Sequence, residues 1–259
     1  MRKALRPLAP LACAAAILAS SGTAFAADRY VALGDSYSSG TGTGSYTLDS
    51  GCQRGTSAYP YLESRARANT TLVFVACSGA TTDDVMASQI SSVTSDTRLV
   101  SITIGGNDAG FSDVVTACVT IGCGGAITDA TTYITGTLPG KLDTVYAAIA
   151  RQAPSATVAV LGYPRLFSTS SCAGTTGIDS GERTSLNSVA DLMDATIARE
   201  AARYGFTYKS AVSSFTGHAI CSSSAWLNGL NIFSIGESFH PTRSGHSSGY
   251  LPLVSSVLG

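Results

Sequence analysis

Five short apolar runs, rich in β-branched residues and each closed by small polar ones, constrain this 259-residue chain more than any other feature. They cover 29–34, 71–76, 99–104, 157–161 and 206–212. Their length suits strands, and the absence of polar alternation means that both faces of each strand are covered. Helical periodicity fills the gaps between them. Leu186, Val189, Ala190, Met193, Ile197 and Ala201 form one apolar stripe over 182–204, with Asp179 and Glu182 offering a capping box at its start. Leu142, Val145, Tyr146 and Ile149 repeat the pattern before Pro154, and shorter helices are expected over 59–68 and 83–90. Strands buried on both faces and separated by helices specify a parallel sheet covered on both sides. The expected fold is therefore α/β, a three-layer α/β/α sandwich around a five-stranded parallel sheet.

The first residues read as an export signal. Arg2, Lys3 and Arg6 precede an apolar run over 8–20, and Ala24, Phe25 and Ala26 form a small-x-small cleavage site. Residues 1–26 are therefore set apart from the fold, and 27–259 are expected to form one soluble, secreted domain. Cys13 lies inside the signal and is a poor match to a lipid-attachment site. The signal holds three of the 16 Lys and Arg and none of the 17 Asp and Glu, so the remainder carries 13 − 17 = −4. That charge argues against a nucleic-acid partner, which needs a basic surface to neutralise phosphates.

Six cysteines remain, at positions 52, 77, 118, 123, 172 and 221. An even number in an exported chain favours disulfides, although sequence alone allows 15 connectivities. No Cys-x-x-Cys occurs and the chain has three histidines, so neither a metal site nor a cofactor is expected. All six lie in segments that follow the strands on one edge of the sheet. Pairing between neighbours, 52–77, 118–123 and 172–221, is the expected pattern.

Ligands of a parallel sheet bind beyond the carboxyl ends of its strands. Three polar, glycine-bearing turns occupy those places. Gly34-Asp35-Ser36 follows the first strand, Cys77-Ser78-Gly79-Ala80-Thr81 the second, and Ile104-Gly105-Gly106-Asn107-Asp108 the third. Ser36 is a candidate nucleophile, which needs a base within hydrogen-bond reach. His240 stands just before a helix expected to begin near Pro241, which would hold the ring rigidly. His218, in a Gly- and Ser-rich stretch, and His246, inside that helix, are read as solvated or hydrogen-bonded surface residues. Acyl transfer also needs donors for an oxyanion; the Gly79 backbone N–H and the Asn107 amide are candidates. Gly245-His246-Ser247-Ser248-Gly249 matches a nucleophile elbow but lacks both a preceding strand and a later histidine. The Gly40–Gly44 run lacks the spacing of a nucleotide loop.

Gly34-Asp35-Ser36, Gly79, Asn107 and His240, in blocks running from Val31 to Pro241, together resemble the SGNH (GDSL) hydrolase superfamily, in particular its secreted bacterial lipases, esterases and phospholipases. The resemblance implies a flavodoxin-like sandwich without metal or cofactor, cleaving carboxylic esters through an acyl-enzyme. By that resemblance Ser36 attacks the carbonyl, His240 moves the proton, and Ser36 N–H, Gly79 N–H and Asn107 hold the oxyanion. Asp35 and Asp108 are then turn-fixing residues. Many relatives carry Asp three residues before the histidine, where this chain has Glu237. Either Glu237 or the Ser238 carbonyl orients His240, and the carbonyl is the preferred reading. The substrate is a small-molecule or lipid ester, met by a monomer with at most transient contact with lipid surfaces. Tyr46, Phe111, Tyr133 and the stretch 226–233 are candidate walls of an acyl groove. Two alternatives are a glycan acetyl esterase on the same machinery and a non-catalytic carbohydrate- or lipid-binding module.

Overall fold

The structure, a computed structural model, describes residue 1, residues 27–120 and residues 122–259. The expected export signal, Cys13 included, lies outside the described residues apart from Met1. Five parallel strands form one sheet: β1 (Asp28–Gly34), β2 (Thr70–Phe74), β3 (Thr97–Thr103), β4 (Thr157–Leu161) and β5 (Thr207–Lys209). Their spatial order is β2-β1-β3-β4-β5, with Val31 facing Val73 on one side and Val100 on the other. The central strands are buried on both faces, which is why their sequences do not alternate.

Among the described residues, nine α-helical segments accompany the strands: α1 (Ser36–Ser39), α2 (Tyr59–Ala66), α3 (Thr82–Asp84), α4 (Phe111–Thr120), α5 (Gly124–Gly136), α6 (Leu138–Gln152), α7 (Ser180–Arg203), α8 (Ala211–Ser214) and α9 (Leu251–Leu258). α2 and α9 cover one face; α3 with its continuation to Ser92, α6 and α7 cover the other. The stripe expected on α6 is fully buried at Leu142, Val145, Tyr146 and Ile149. Each such side chain contributes about 1.5–3 kcal/mol by leaving water. The expected capping box of α7 is present, with Asp179 and Glu182 satisfying each other's backbone N–H groups.

The structure departs from the sequence expectation in two of its elements. The run 206–212 is not one strand, because the Ser210 side chain accepts from Val212 N–H and starts α8, cutting β5 to Thr207–Lys209. α4 and α5 carry no pattern that advertises a helix, α5 being rich in Gly and Thr; packing of α5 against α7 and of α4 against α5 holds them instead. The carboxy-terminal helix begins near Pro241 as expected, at Arg243, and Pro241 itself pairs with Leu227 in an antiparallel bridge.

β1 ends at a glycine for a steric reason. Gly34 has φ +121°, and a Cβ there would lie 2.3 Å from the Thr103 carbonyl oxygen. The buried Gln89 amide clamps the same residue, accepting from Gly34 N–H at 2.8 Å and donating to Gly34 O at 2.9 Å. The chain order places a switch point between β1 and β3, where successive connections leave in opposite directions and open a crevice. Ser36 and Asn107 flank that crevice.

The three disulfides pair as expected: Cys52–Cys77, Cys118–Cys123 and Cys172–Cys221. They span 25, 5 and 49 residues. Loop entropy alone then ranks them. Replacing Cys172 and Cys221 by Ser should lower stability by about 4 kcal/mol, and replacing Cys118 and Cys123 by about 2 kcal/mol. Urea melts of the two variants check the order; equal losses would refute a loop-entropy account.

Candidate active site

Asp35 turns the end of β1 into a helix start. Its Oδ1 accepts from Tyr37 N–H at 2.9 Å, capping the single turn of α1 and leaving Ser36 at its first position. Ser36 Oγ lies 2.8 Å from His240 Nε2. The other ring nitrogen, Nδ1, lies 2.9 Å from the Ser238 carbonyl oxygen. A carbonyl only accepts, so Nδ1 carries the proton and Nε2 is left to accept from the serine hydroxyl.

His240 stands just before the helix start at Arg243, as expected, and a hairpin holds it as well. Asn228 N–H donates to His240 O at 2.9 Å, Phe239 N–H to Asn228 O at 2.9 Å, and Thr242 N–H to Trp226 O at 2.8 Å. Phe239 adopts φ +64°, a left-handed conformation rare for a bulky residue. That kink lets the carbonyl of residue 238 face the ring of residue 240. Glu237 is engaged elsewhere, accepting from Tyr46 O–H at 2.5 Å. Burial, together with that carboxylate, pushes the Tyr46 phenol up to about 12.

The three expected donors stand in the turns that follow β1, β2 and β3. The Ser36 and Gly79 N–H groups have no protein partner among the described residues. Asn107 Nδ2 donates one hydrogen to Ala80 O at 2.9 Å and keeps the second free. Gly79 has φ +83°, and a Cβ there would meet nothing within 4 Å, so the positive φ, not crowding, is what favours glycine. Asp108 fixes the turn after β2 by accepting from Thr82 N–H at 2.9 Å.

Two tyrosines that no sequence pattern marks tie these turns together. Tyr163 O–H donates to Asp35 Oδ2 while accepting from Gly106 N–H at 2.9 Å. Tyr37 O–H donates to Phe239 O at 2.7 Å. Gly42 is a further unmarked contributor, since a Cβ there would lie 2.8 Å from His240 Cβ and 2.6 Å from Pro241 O. Burial raises the Asp35 carboxyl to about 7, against the opposing hydrogen bonds from Tyr163 and Tyr37 N–H. Burial also lowers His240 to about 4, although an edge of its ring stays accessible.

The remaining histidines differ from each other. His218 stacks on Trp226 at 3.5 Å between centroids, with Nδ1 2.6 Å from Ser224 O, a hydrogen-bonded surface residue as expected. His246 is fully buried, contrary to expectation. Gly245 and Gly249 beside it permit this: Cβ atoms there would strike Trp226 O and the Phe215 ring, each at 2.4 Å. Its Nδ1 accepts from Tyr59 N–H at 3.3 Å, and burial drives its pKa to about 3. The nucleophile-elbow look-alike is thus a packing device.

An apolar pocket of about 670 Å³, open mouth included, adjoins Ser36 and Asn107. Phe111, Val114, Leu166, Leu186, Val189 and Met193 supply much of its wall. Of the expected groove residues, Phe111 lines it, whereas Tyr46, Tyr133 and the stretch 226–233 do not. One group of three metal-competent side chains, Cys118, Cys123 and Glu182, has both sulfurs in a disulfide and Glu182 accepting from Cys123 N–H.

Tyr163→Phe removes the donor to Asp35 and the acceptor for Gly106 N–H. It should lower stability by about 1–3 kcal/mol. The Asp35 carboxyl titrates at about 7 in the fold against an ordinary 3.8, so its contribution is lost as pH rises through that window. Tyr163 holds this pKa down, so the variant's deficit should be larger at pH 8 than at pH 4. Urea melts at both values check this, and a pH-independent deficit would refute it.

Residues 32–247 match the GDSL-like lipase/acylhydrolase family. A curated relative, Lipase 1 of Streptomyces coelicolor, is 50% identical over 236 residues, covering 89% of this chain and 87% of that protein. The crystal structure of an extracellular lipase from Streptomyces rimosus superposes with TM-score 0.85 at 47% identity, covering 89% of this chain and all of that one. A phospholipase A1 from Streptomyces albidoflavus NA297 gives the same TM-score of 0.85 and 47% identity, covering 90% of this chain and all of that one. The chain belongs to the GDSL-like lipase/acylhydrolase family and is a carboxylic ester hydrolase.

Proposed function

We propose that Ser36 and His240 hydrolyse long-chain acyl esters of lipids, in a monomeric domain of residues 27–259 secreted after removal of 1–26. The observation that carries the reading is the 2.8 Å contact between Ser36 Oγ and His240 Nε2, beside an apolar pocket that Ser36 and Asn107 both line. His240 takes the hydroxyl proton as Oγ attacks the ester carbonyl. Ser36 N–H, Gly79 N–H and Asn107 Nδ2 receive the developing oxyanion, each donor contributing about 10²–10³ in rate. The tetrahedral species collapses, the alcohol leaves with the proton from His240, and the acyl group stays on Ser36. Water then attacks, His240 again acting as base, and the fatty acid departs. The Ser238 carbonyl keeps the ring in the required tautomer and favours its charged form, so Ser36, His240 and a backbone oxygen take the places of a side-chain triad.

The pocket supports the acyl-chain assignment over glycan deacetylation, because an acetyl group needs no apolar wall. The named activities of the relatives, lipase and phospholipase A1, share this acyl-carbonyl centre. The single-chain relative structures and the extracellular S. rimosus lipase support the monomeric, secreted reading.

Ser36→Ala should keep the fold by circular dichroism and remove essentially all hydrolysis of p-nitrophenyl esters. Parent activity should rise from acetyl to decanoyl. Turnover by the purified variant, or a preference for acetyl, would overturn the assignment. The pH profile gives an independent check. His240 must be neutral to act as base, and its pKa lies near 4, not 6.5. The acid limb of kcat/KM should therefore inflect below pH 6.5, toward about 4, with folding monitored in parallel because the unfolded chain takes up protons below 6.5. An inflection above 6.5 would count against it.

A further inference from the structure

Exposed large apolar side chains cluster at one point. Apart from Met1, those among the described residues are Leu48, Ile232, Phe233 and Ile235. Ile232 is 74% exposed, Phe233 92% and Ile235 66%, all at the tip of the hairpin whose base carries His240. We infer that this tip seats the protein on an uncharged or zwitterionic lipid surface and feeds acyl esters from it toward Ser36, an inference that rests on the ester-hydrolase reading of that site.

The tip is ordered by its own backbone. Asn231 Oδ1 accepts from Phe233 N–H at 3.1 Å, Ser238 Oγ from Asn231 N–H at 2.9 Å, and Ser234 O from Glu237 N–H at 2.9 Å. The backbone that carries the apolar side chains is therefore held in place, and only their rotamers remain to be ordered when a surface covers them. A contiguous exposed patch of this kind marks an interaction surface. The tip is also continuous with the site. A groove runs from Ile235 past Ser238 and Phe239 to His240, with Phe111, Val115 and Val119 on the opposite wall, and Phe111 also lines the acyl pocket.

Charge selects the partner. Between 222 and 242 the only ionisable acid or base besides His240 is Glu237, which Tyr46 engages. Neither Lys nor Arg occurs there to attract anionic headgroups. Contact driven by apolar burial alone suits phosphatidylcholine or a triacylglycerol droplet, and it should survive salt.

The test uses the full chain with Ser36→Ala, so that the lipid is not consumed, in co-sedimentation with phosphatidylcholine vesicles. Binding should persist in 1 M NaCl and fall tenfold or more when Ile232→Ser and Phe233→Ser are added. In the active enzyme the same pair should leave kcat/KM on soluble p-nitrophenyl butyrate within twofold while lowering turnover of emulsified triolein at least tenfold. Unchanged vesicle binding would overturn the inference, as would equal losses on both substrates, binding that requires anionic lipid, or a tip that instead mediates a dimer in gel filtration. Vesicle binding by the Ser36→Ala protein is read without turnover, so a failure of the catalytic assignment would show separately.

Discussion

The hydrogen bond between Ser36 and His240 joins residues 204 positions apart, so the site exists only while the 226–242 hairpin stays fastened to the loop after β1. Four contacts hold it there. Tyr37 O–H reaches Phe239 O, Asn228 Nδ2 reaches Gly42 O at 2.9 Å, Arg243 Nε reaches Thr43 O at 2.9 Å, and Gly42 leaves no room for a side chain beside His240. Individual hydrogen bonds of this kind contribute about 0.5–1.5 kcal/mol. Several together, each from a side chain to a backbone carbonyl of the facing segment, fix a distance that no single one could. The geometry needed for proton transfer is thus a property of two loops, not of two side chains.

Much of this was legible in the sequence. Five unalternating runs separated by helical periods dictate a parallel sheet, and the polar turns after its first three strands fall at the switch point. The serine, the histidine, the glycine and the asparagine could be named because each stands in a turn closing a strand or in a short recognisable block. Cysteine pairing followed from the same edge argument. What the sequence hid has physical reasons. Tyr163 and Tyr37 resemble core aromatics, since nothing local tells that their hydroxyls hold an aspartate and a backbone carbonyl. Phe239 gives no hint of a left-handed backbone, which glycine or asparagine would announce. His246 reads as a helix-surface residue until Gly245 and Gly249 are seen to draw that helix against Phe215 and Trp226.

α7 serves two ends at once. Leu186 and Met193 are buried in the core, yet both also line the pocket beside Ser36. The same stripe that packs this helix against the sheet shapes the cavity for the acyl group. Changes that reshape the pocket therefore act on packing as well, and a large-to-small change in such a position typically costs about 2–5 kcal/mol.

The three disulfides staple segments beyond the carboxyl ends of the strands, while the sheet interior relies on apolar burial alone. Covalent reinforcement is concentrated at the reactive rim. Chemistry and redox environment are coupled as a result: thiol-reducing surroundings would slacken the turns that align serine, imidazole and donors before they reached the apolar interior. Competence for ester cleavage is in that sense tied to the three bridges staying oxidised.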